Sequence, residues 1–215
     1  MIRARARGIV PGPVRYKKSE ISAAQIVQAA TRVLARQGYA RTSLMDIAKE
    51  AGMSKGAVHY HFPTKEALIQ EVLAHATNVV QERTLAAWAE DATPFVGLRR
   101  SLETLWEVRA SRSDEALVVA DLLAQSLYDD ALRPQLAAFY ATAAHQMRDH
   151  LAPQLEAAGI QPKIPMEVLP RIVIGLLDGL VMQAFADPDV LEPEDVVAAI
   201  ETLALGLFEV APKKG

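Results

Sequence analysis

The chain contains no cysteine, which removes disulfides, thiol nucleophiles and Cys-ligated zinc together. It also lacks a Gly-rich phosphate loop, a nucleophile elbow and any carboxylate pair in a recognisable structural context. The residues for enzymatic chemistry are therefore missing, and no catalytic activity is expected. Asp129-Asp130 falls between helices as a turn and cap pair, and His75, His145 and His150 are scattered over surface or helix-terminal positions. His59 and His61 are two apart, so on a helix they point away from each other and cannot share an ion. No metal or cofactor is expected. The N-terminus has arginines but no apolar core of a secretory signal. The most apolar run, Ile172–Ala186, includes Asp178 and falls short of the about 20 residues that a membrane-spanning helix needs. These absences lead to the expectation of a soluble, cytoplasmic protein without a membrane partner.

Apolar and charged residues are plentiful: 51% of the 215 residues are hydrophobic and 23% charged, which suits one large or two small globular units. The net charge is −3, but it is unevenly placed. Residues 1–80 hold 12 Lys and Arg against 5 Asp and Glu, leaving 11 of the 23 basic and 21 of the 26 acidic groups for the remainder. A basic head on an acidic body is the distribution of a nucleic-acid binder whose second part does something else.

Periodicity predicts an all-α chain with no repeats and no strands. Residues 1–16, with Arg3, Arg5, Arg7 and Arg15, show no period and read as a basic arm, either following phosphates or a minor groove, or serving only as a basic tail. A helix over 22–37 carries the stripe Ile26, Ala29, Ala30, Val33 and Leu34, and Gly38 ends it. Ser43 with Asp46 has capping-box spacing and opens a short helix buried through Leu44, Ile47, Ala48 and Ala51. Gly52 turns the chain, Ser54 caps a second short helix from Lys55 to about Phe62, and Pro63 stops it. A turn this short makes the two helices cross at a large angle, as in a helix-turn-helix. In the second of them only Val58 and Phe62 are core anchors. Gly56 costs about 1 kcal/mol relative to Ala inside a helix; close approach to another surface, such as a DNA groove, is a reason to keep it, and an αα-corner with an incidental Gly is the plainer alternative.

A fourth helix, capped by Thr64 and spanning about 65–89, changes its apolar face along its length, as a connector between head and body would. Helices are expected at about 94–110, 113–128, 131–158 (with Pro153 inside), 166–186 and 194–210. The last two are apolar nearly all round, which calls for burial on both sides. One side can then face the body and the other a second copy, with Ile172, Gly175, Gly179, Leu180, Ile200, Leu203 and Leu207 at the contact; simple helix packing within one chain is the plainer alternative for Gly175 and Gly179.

The run IVQAATRVLARQGYARTSLMDIAKEAGMSKGAVHYHF and the following PTKEALIQEVL make residues 22–73 resemble the DNA-binding domain of the tetracycline-repressor (TetR) family of bacterial transcription regulators. Gly38, Tyr39, Thr42, Gly52, Ser54, Lys55, Gly56, Phe62, Lys65 and Leu68 carry the match. The family most often has Tyr at the position of His59, where it commonly touches a phosphate, so that contact falls to His59 or to Tyr60. The resemblance implies an all-α fold and dimerisation through the last two long helices. It implies a homodimeric regulator, expected to be a repressor, with two recognition helices in successive major grooves of a pseudo-palindromic operator. Thr42, Ser43, Ser54, Lys55, Tyr60 and Lys65 are then expected at phosphates, and Gly56, Ala57, His59 and His61 near base edges or the groove wall. Ala57 offers only a methyl, which suits a thymine.

On this reading 17–64 forms the DNA-binding unit and 65–215 the effector-binding and dimerisation unit. Trp106, Tyr128, Phe139, Met147, Met182 and Phe185 are candidates to line an apolar effector pocket, with Asp178 as its polar group. An inward Asp178 would suit a cationic effector. Arg171, seven residues earlier on the same helix, offers an alternative partner at the subunit interface. Two rival readings remain: a constitutive DNA-binding protein, whose body would be filled without a cavity, and a protein-interaction module with no salt-dependent DNA affinity.

Overall fold

The computed structural model describes residues 14–87 and 94–210. The described residues form nine helices and one short β ribbon. The expected basic arm lies mostly outside the described residues; helix α1 begins at Val14 and runs to Gln37, so its last three positions are already helical. The Ile26, Ala29, Ala30, Val33 and Leu34 stripe is buried as its spacing demands. Gly38 ends α1 at φ +76°, a left-handed conformation that costs a residue with a Cβ about 1–2 kcal/mol. Helix α2 covers Leu44–Glu50 and α3 covers Lys55–His61. Helix α4, Lys65–Ala87, leaves this head and enters the body.

One apolar cluster joins α1–α4 to two body helices, α6 (Asp114–Gln125) and α7 (Arg133–Ala157), through Val118, Leu122, Leu132, Leu136 and Phe139. A second joins α5 (Pro94–Ala110), α8 (Leu169–Ala186) and α9 (Pro193–Gly206) around Leu102, Leu105, Trp106, Leu177, Val181 and Ile200. Leu68, Ile69, Val72 and Leu73 of α4 belong to the first cluster and Val80 packs on the second, which is the change of face read from its sequence. Each large side chain so buried contributes about 1.5–3 kcal/mol of transfer free energy.

The sequence predicts no strands, but β1 (Ile160–Pro162) and β2 (Phe208–Val210) pair antiparallel, Ile160 opposite Val210. The helix expected over 194–210 therefore stops at Gly206. Leu207 is the turn residue after it, and its carbonyl accepts from the Lys163 N–H at 2.8 Å. Helix α8 is, by length and composition alone, long and apolar enough to cross a membrane. Its contacts are those of a body helix: Leu169, Ile174, Leu177 and Val181 are buried within the chain, and Asp178 is paired to a neighbouring helix.

Candidate nucleic-acid interface and body cavity

The two-helix element of the head is built by local hydrogen bonds. The Ser43 hydroxyl accepts from the Asp46 N–H at 3.2 Å, and the Asp46 carboxylate accepts from the Ser43 N–H at 2.9 Å, closing the capping box. The Ser43 hydroxyl also donates to the Asp46 carboxylate at 2.6 Å, and this bond, followed by that from the Ser43 N–H, holds the Asp46 carboxyl below its ordinary range. Gly52 turns at φ +65°, and the Ser54 hydroxyl accepts from the Ala57 N–H at 3.1 Å to start α3. Val58 and Phe62 anchor α3 in the core. Lys55, Gly56, His59 and Tyr60 are left facing outward, Tyr60 at 80% exposure, with Ala57 and His61 half-exposed. A Cβ at Gly56 would meet nothing nearer than the Ser54 hydroxyl at 3.9 Å, so the chain itself does not require glycine there.

Two residues expected at phosphates are engaged otherwise. Thr42 is buried, and its hydroxyl donates to the Gly38 carbonyl at 2.7 Å. The Lys65 ammonium turns inward: it donates to the Tyr39 carbonyl at 2.5 Å and lies 3.6 Å from the centroid of the Tyr39 ring. Burial lowers its pKa. The position at the start of α4 suited a phosphate, but the Tyr39 ring and its carbonyl, which also accepts from the Thr42 N–H at 3.1 Å, offer a nearer partner just after α1. Lys55 stays exposed on α3. The head is tied to the body by Asp121 of α6, whose carboxylate accepts from the Tyr39 N–H at 2.6 Å.

In the body, α4, α5, α7, α8 and the end of α9 enclose a largely apolar cavity of about 380 Å³. A smaller one of about 70 Å³ lies between α4, α5, α6 and α8. Val80, Arg109 and Phe139 border both. Of the expected pocket residues, Met147 lines the larger cavity, Asp178 and Met182 the smaller, and Phe139 both. The others do not line either. Trp106, 5% exposed, is packed in the α5–α8–α9 core. Tyr128, 88% exposed, follows α6 on the surface. The Phe185 ring packs under the Arg112 guanidinium, 5.2 Å from its centroid. Asp178 is paired with Arg109 of α5 and accepts from the Tyr140 hydroxyl at 2.8 Å. Burial, and then the charge of Asp178, push the Tyr140 phenol upward. This partner within the chain displaces Arg171 and removes the interface pair considered from the sequence.

Residues 26–72 match the tetR family of bacterial regulatory proteins. Residues 97–209, more than half of the chain, match the C-terminal region of BetI-type transcriptional repressors. The chain belongs to the TetR family. Among relatives, the HTH-type transcriptional regulator TtgR of Pseudomonas putida is 35% identical over 112 residues, 48% of this chain and 53% of TtgR. The chain thus spans about half the length of that regulator. SrpR, an HTH-type transcriptional regulator of the same species, is 26% identical over 199 residues, 89% of this chain and 85% of its own. A TetR-family regulator from Rhodococcus superposes with a TM-score of 0.77 at 20% identity, over 87% of this chain and 98% of that one. GusR of Salmonella enterica superposes at 0.67 with 22% identity, over 87% and 95%. At those identities the two structures speak for the fold.

The last two helices keep one face uncovered within the chain. Ile172 and Leu203, the latter 58% exposed, lie on that face with Gly175 and Gly179, and neither glycine has an atom within 4 Å of an added Cβ. Leu180 is half-buried against the second cluster. Ile200, 2% exposed, points the other way into the core, and Leu207 lies beyond α9. Sequence reasoning missed Arg109, Ser101 and Tyr140, because no local signal marks a polar residue that meets a cavity or a distant helix. It also missed Asp121, whose partner is 82 residues away.

Proposed function

We propose that this protein is a homodimeric transcriptional repressor of the cytoplasm, released from a pseudo-palindromic operator by a small effector bound in the body cavity. On this reading residues 17–64 bind DNA and 65–215 bind effector and partner subunit. The observation that carries it is α3: two buried anchors, a capped N-terminus, and an outward face of small, polar and cationic side chains. Lys55, Ser54, Ser43 and Tyr60 hold phosphates, while Gly56, Ala57, His59 and His61 meet base edges or the groove wall. Ile172, Gly175, Gly179 and Leu203 meet their counterparts on the second copy.

The cavity of about 380 Å³ favours an effector-controlled regulator over a constitutive one, whose body would be filled. Helix α4 borders the cavity and starts in the head, so a ligand preferring one body shape alters the spacing of the two recognition helices. Coupling of about 1–3 kcal/mol would weaken operator binding about 5- to 150-fold. Selection of duplexes from a random pool by the full chain tests this reading. It should enrich two inverted half-sites, and bound duplex should sediment with dimeric protein. Recovery of unrelated sequences, or a monomer on a single half-site, would refute it.

A further inference from the structure

The larger cavity is walled by residues that follow its helices lengthwise. On α7 its lining includes Phe139, Ala143, Met147 and Leu151, spaced four apart and therefore on one face of the helix. At 1.5 Å per residue, the first and last of these stand about 18 Å apart along α7. The Tyr140 hydroxyl, bonded to Asp178, fixes α7 against α8 near one end. Leu151 and Leu169 both line the cavity at the other. From Tyr140 on to Leu151 is 11 residues and from Asp178 back to Leu169 is 9, so the two helices run antiparallel beside the space. Leu102 and Leu105 of α5 add to the apolar wall.

The volume makes that space narrow. Spread over about 18 Å, the cavity of about 380 Å³ has a mean section of about 20 Å². Carbon atoms in contact stand about 3.5–4.0 Å apart, so a section of that size takes one hydrocarbon chain and not two abreast. Three bonds of an extended chain span about 3.8 Å, so about 14 bonds fill the length.

Among the residues lining the cavity, the charges are already matched. The Arg109 guanidinium is neutralised by Asp178, and the Asp149 carboxylate is paired with Arg148 at the surface. Burial holds the His150 imidazole below its ordinary range, so it is neutral at pH 7. A charged head group drawn inside would lose its water without gaining an opposite charge.

We infer that the cavity takes an uncharged molecule built on one unbranched hydrocarbon chain of about 12–14 carbons, lying along the α7 stripe over 139–151. This rests on the reading of the cavity as the effector site, names the class of its ligand, and replaces the cationic preference that Asp178 suggested from sequence.

Equilibrium dialysis of the full chain against the series from 1-hexanol to 1-octadecanol tests it, with operator titrations run with and without 1-dodecanol. Each added methylene should tighten binding about fourfold until about 12–14 carbons, and longer chains should gain nothing further. Dodecanoate and dodecylammonium should each bind about tenfold more weakly than 1-dodecanol. Ala143→Phe sets a ring across the stripe and leaves about 12 Å between it and Leu151. It should move the length limit down to about 9–10 carbons, with 1-hexanol bound as in the wild type. Ala143→Leu is a smaller block at the same place and should lower the limit too. A wild-type series that levels off before 1-decanol, or climbs unbroken to 1-octadecanol, overturns the inference. So does tighter binding of either charged probe, or a limit that neither Ala143 variant moves. No binding of any alkanol overturns it as well. If the alkanols bind with the expected limit while operator affinity stays unchanged, the chain-shaped site stands and the effector reading of the cavity fails.

Discussion

Asp121 adds a charged hydrogen bond to the apolar contact between body and head, and replacing it gives a measurable loss. Its carboxylate accepts from the Tyr39 N–H at 2.6 Å and from the Gln125 amide at 3.4 Å, and it lies 3.5 Å from where a Cβ on Gly38 would stand. A hydrogen bond to a charged group contributes about 1.5–3 kcal/mol, and a part-buried donor left unmatched keeps its desolvation cost. Asp121→Ala should therefore destabilise the chain by about 2 kcal/mol. For a chain of this size that lowers Tm by about 4–8 °C. Asp121→Asn keeps an acceptor without the charge and should lose about half as much. Helix α6 packs in one cluster with α4, whose Thr77 and Val80 line the larger cavity, so the alanine variant should also release operator less in response to ligand while binding it normally without ligand. Thermal melts followed by circular dichroism read the first effect and operator titrations with and without ligand the second. A variant that melts within about 1 °C of the wild type would show that the contact does not hold the head.

Lys55 and Lys65 should separate cleanly: Lys55→Ala should lower the salt slope of DNA binding by about one unit. Lys65→Met should leave the slope unchanged and destabilise the head by about 1–2 kcal/mol, the loss of its contact with Tyr39, as a urea melt would show. Leu203→Asp places a charge on the uncovered α9 face and should yield monomers by sedimentation, whereas the surface change Glu209→Gln should not. Burial, and then Asp129, raise the Tyr39 phenol to about 12. The folded state favours its neutral form, so this contribution is complete below the ordinary value of about 10 and is lost as pH rises from there toward 12. Tyr39→Phe should lose less stability than the wild type between about pH 9 and pH 11 in paired thermal melts.

The head was legible in the sequence because its determinants are local. Ser43 with Asp46, Ser54 with the Ala57 N–H, and the turn at Gly52 all act within three residues, and their spacing identifies them. The body was legible only as helices. Leu207, Phe208 and Val210 fit a helical stripe as well as a strand, and the choice was made by Ile160–Pro162, distant in sequence. Asp178 has Arg171 two turns before it, yet its partner is Arg109, 69 residues away, because helix packing rather than sequence distance decides which charges meet. Trp106 and Tyr128 are both large aromatics, and nothing in residue type separates a core position from an exposed turn. Ile200 and Leu203 share α9, and their opposite fates depend on which face α5 covers.

Salt-dependent, sequence-specific binding through α3 is the most direct test of the account. Fluorescence anisotropy of the full chain should be measured on the duplex enriched from a random pool and on its scrambled counterpart, across a series of salt concentrations. The account predicts binding to the enriched duplex about 10³-fold or more tighter than to the scrambled one. The logarithm of affinity should fall linearly with that of salt on both, and His59→Ala should change the ratio between them. Equal affinity for the two duplexes, or an affinity that ignores salt, would contradict it.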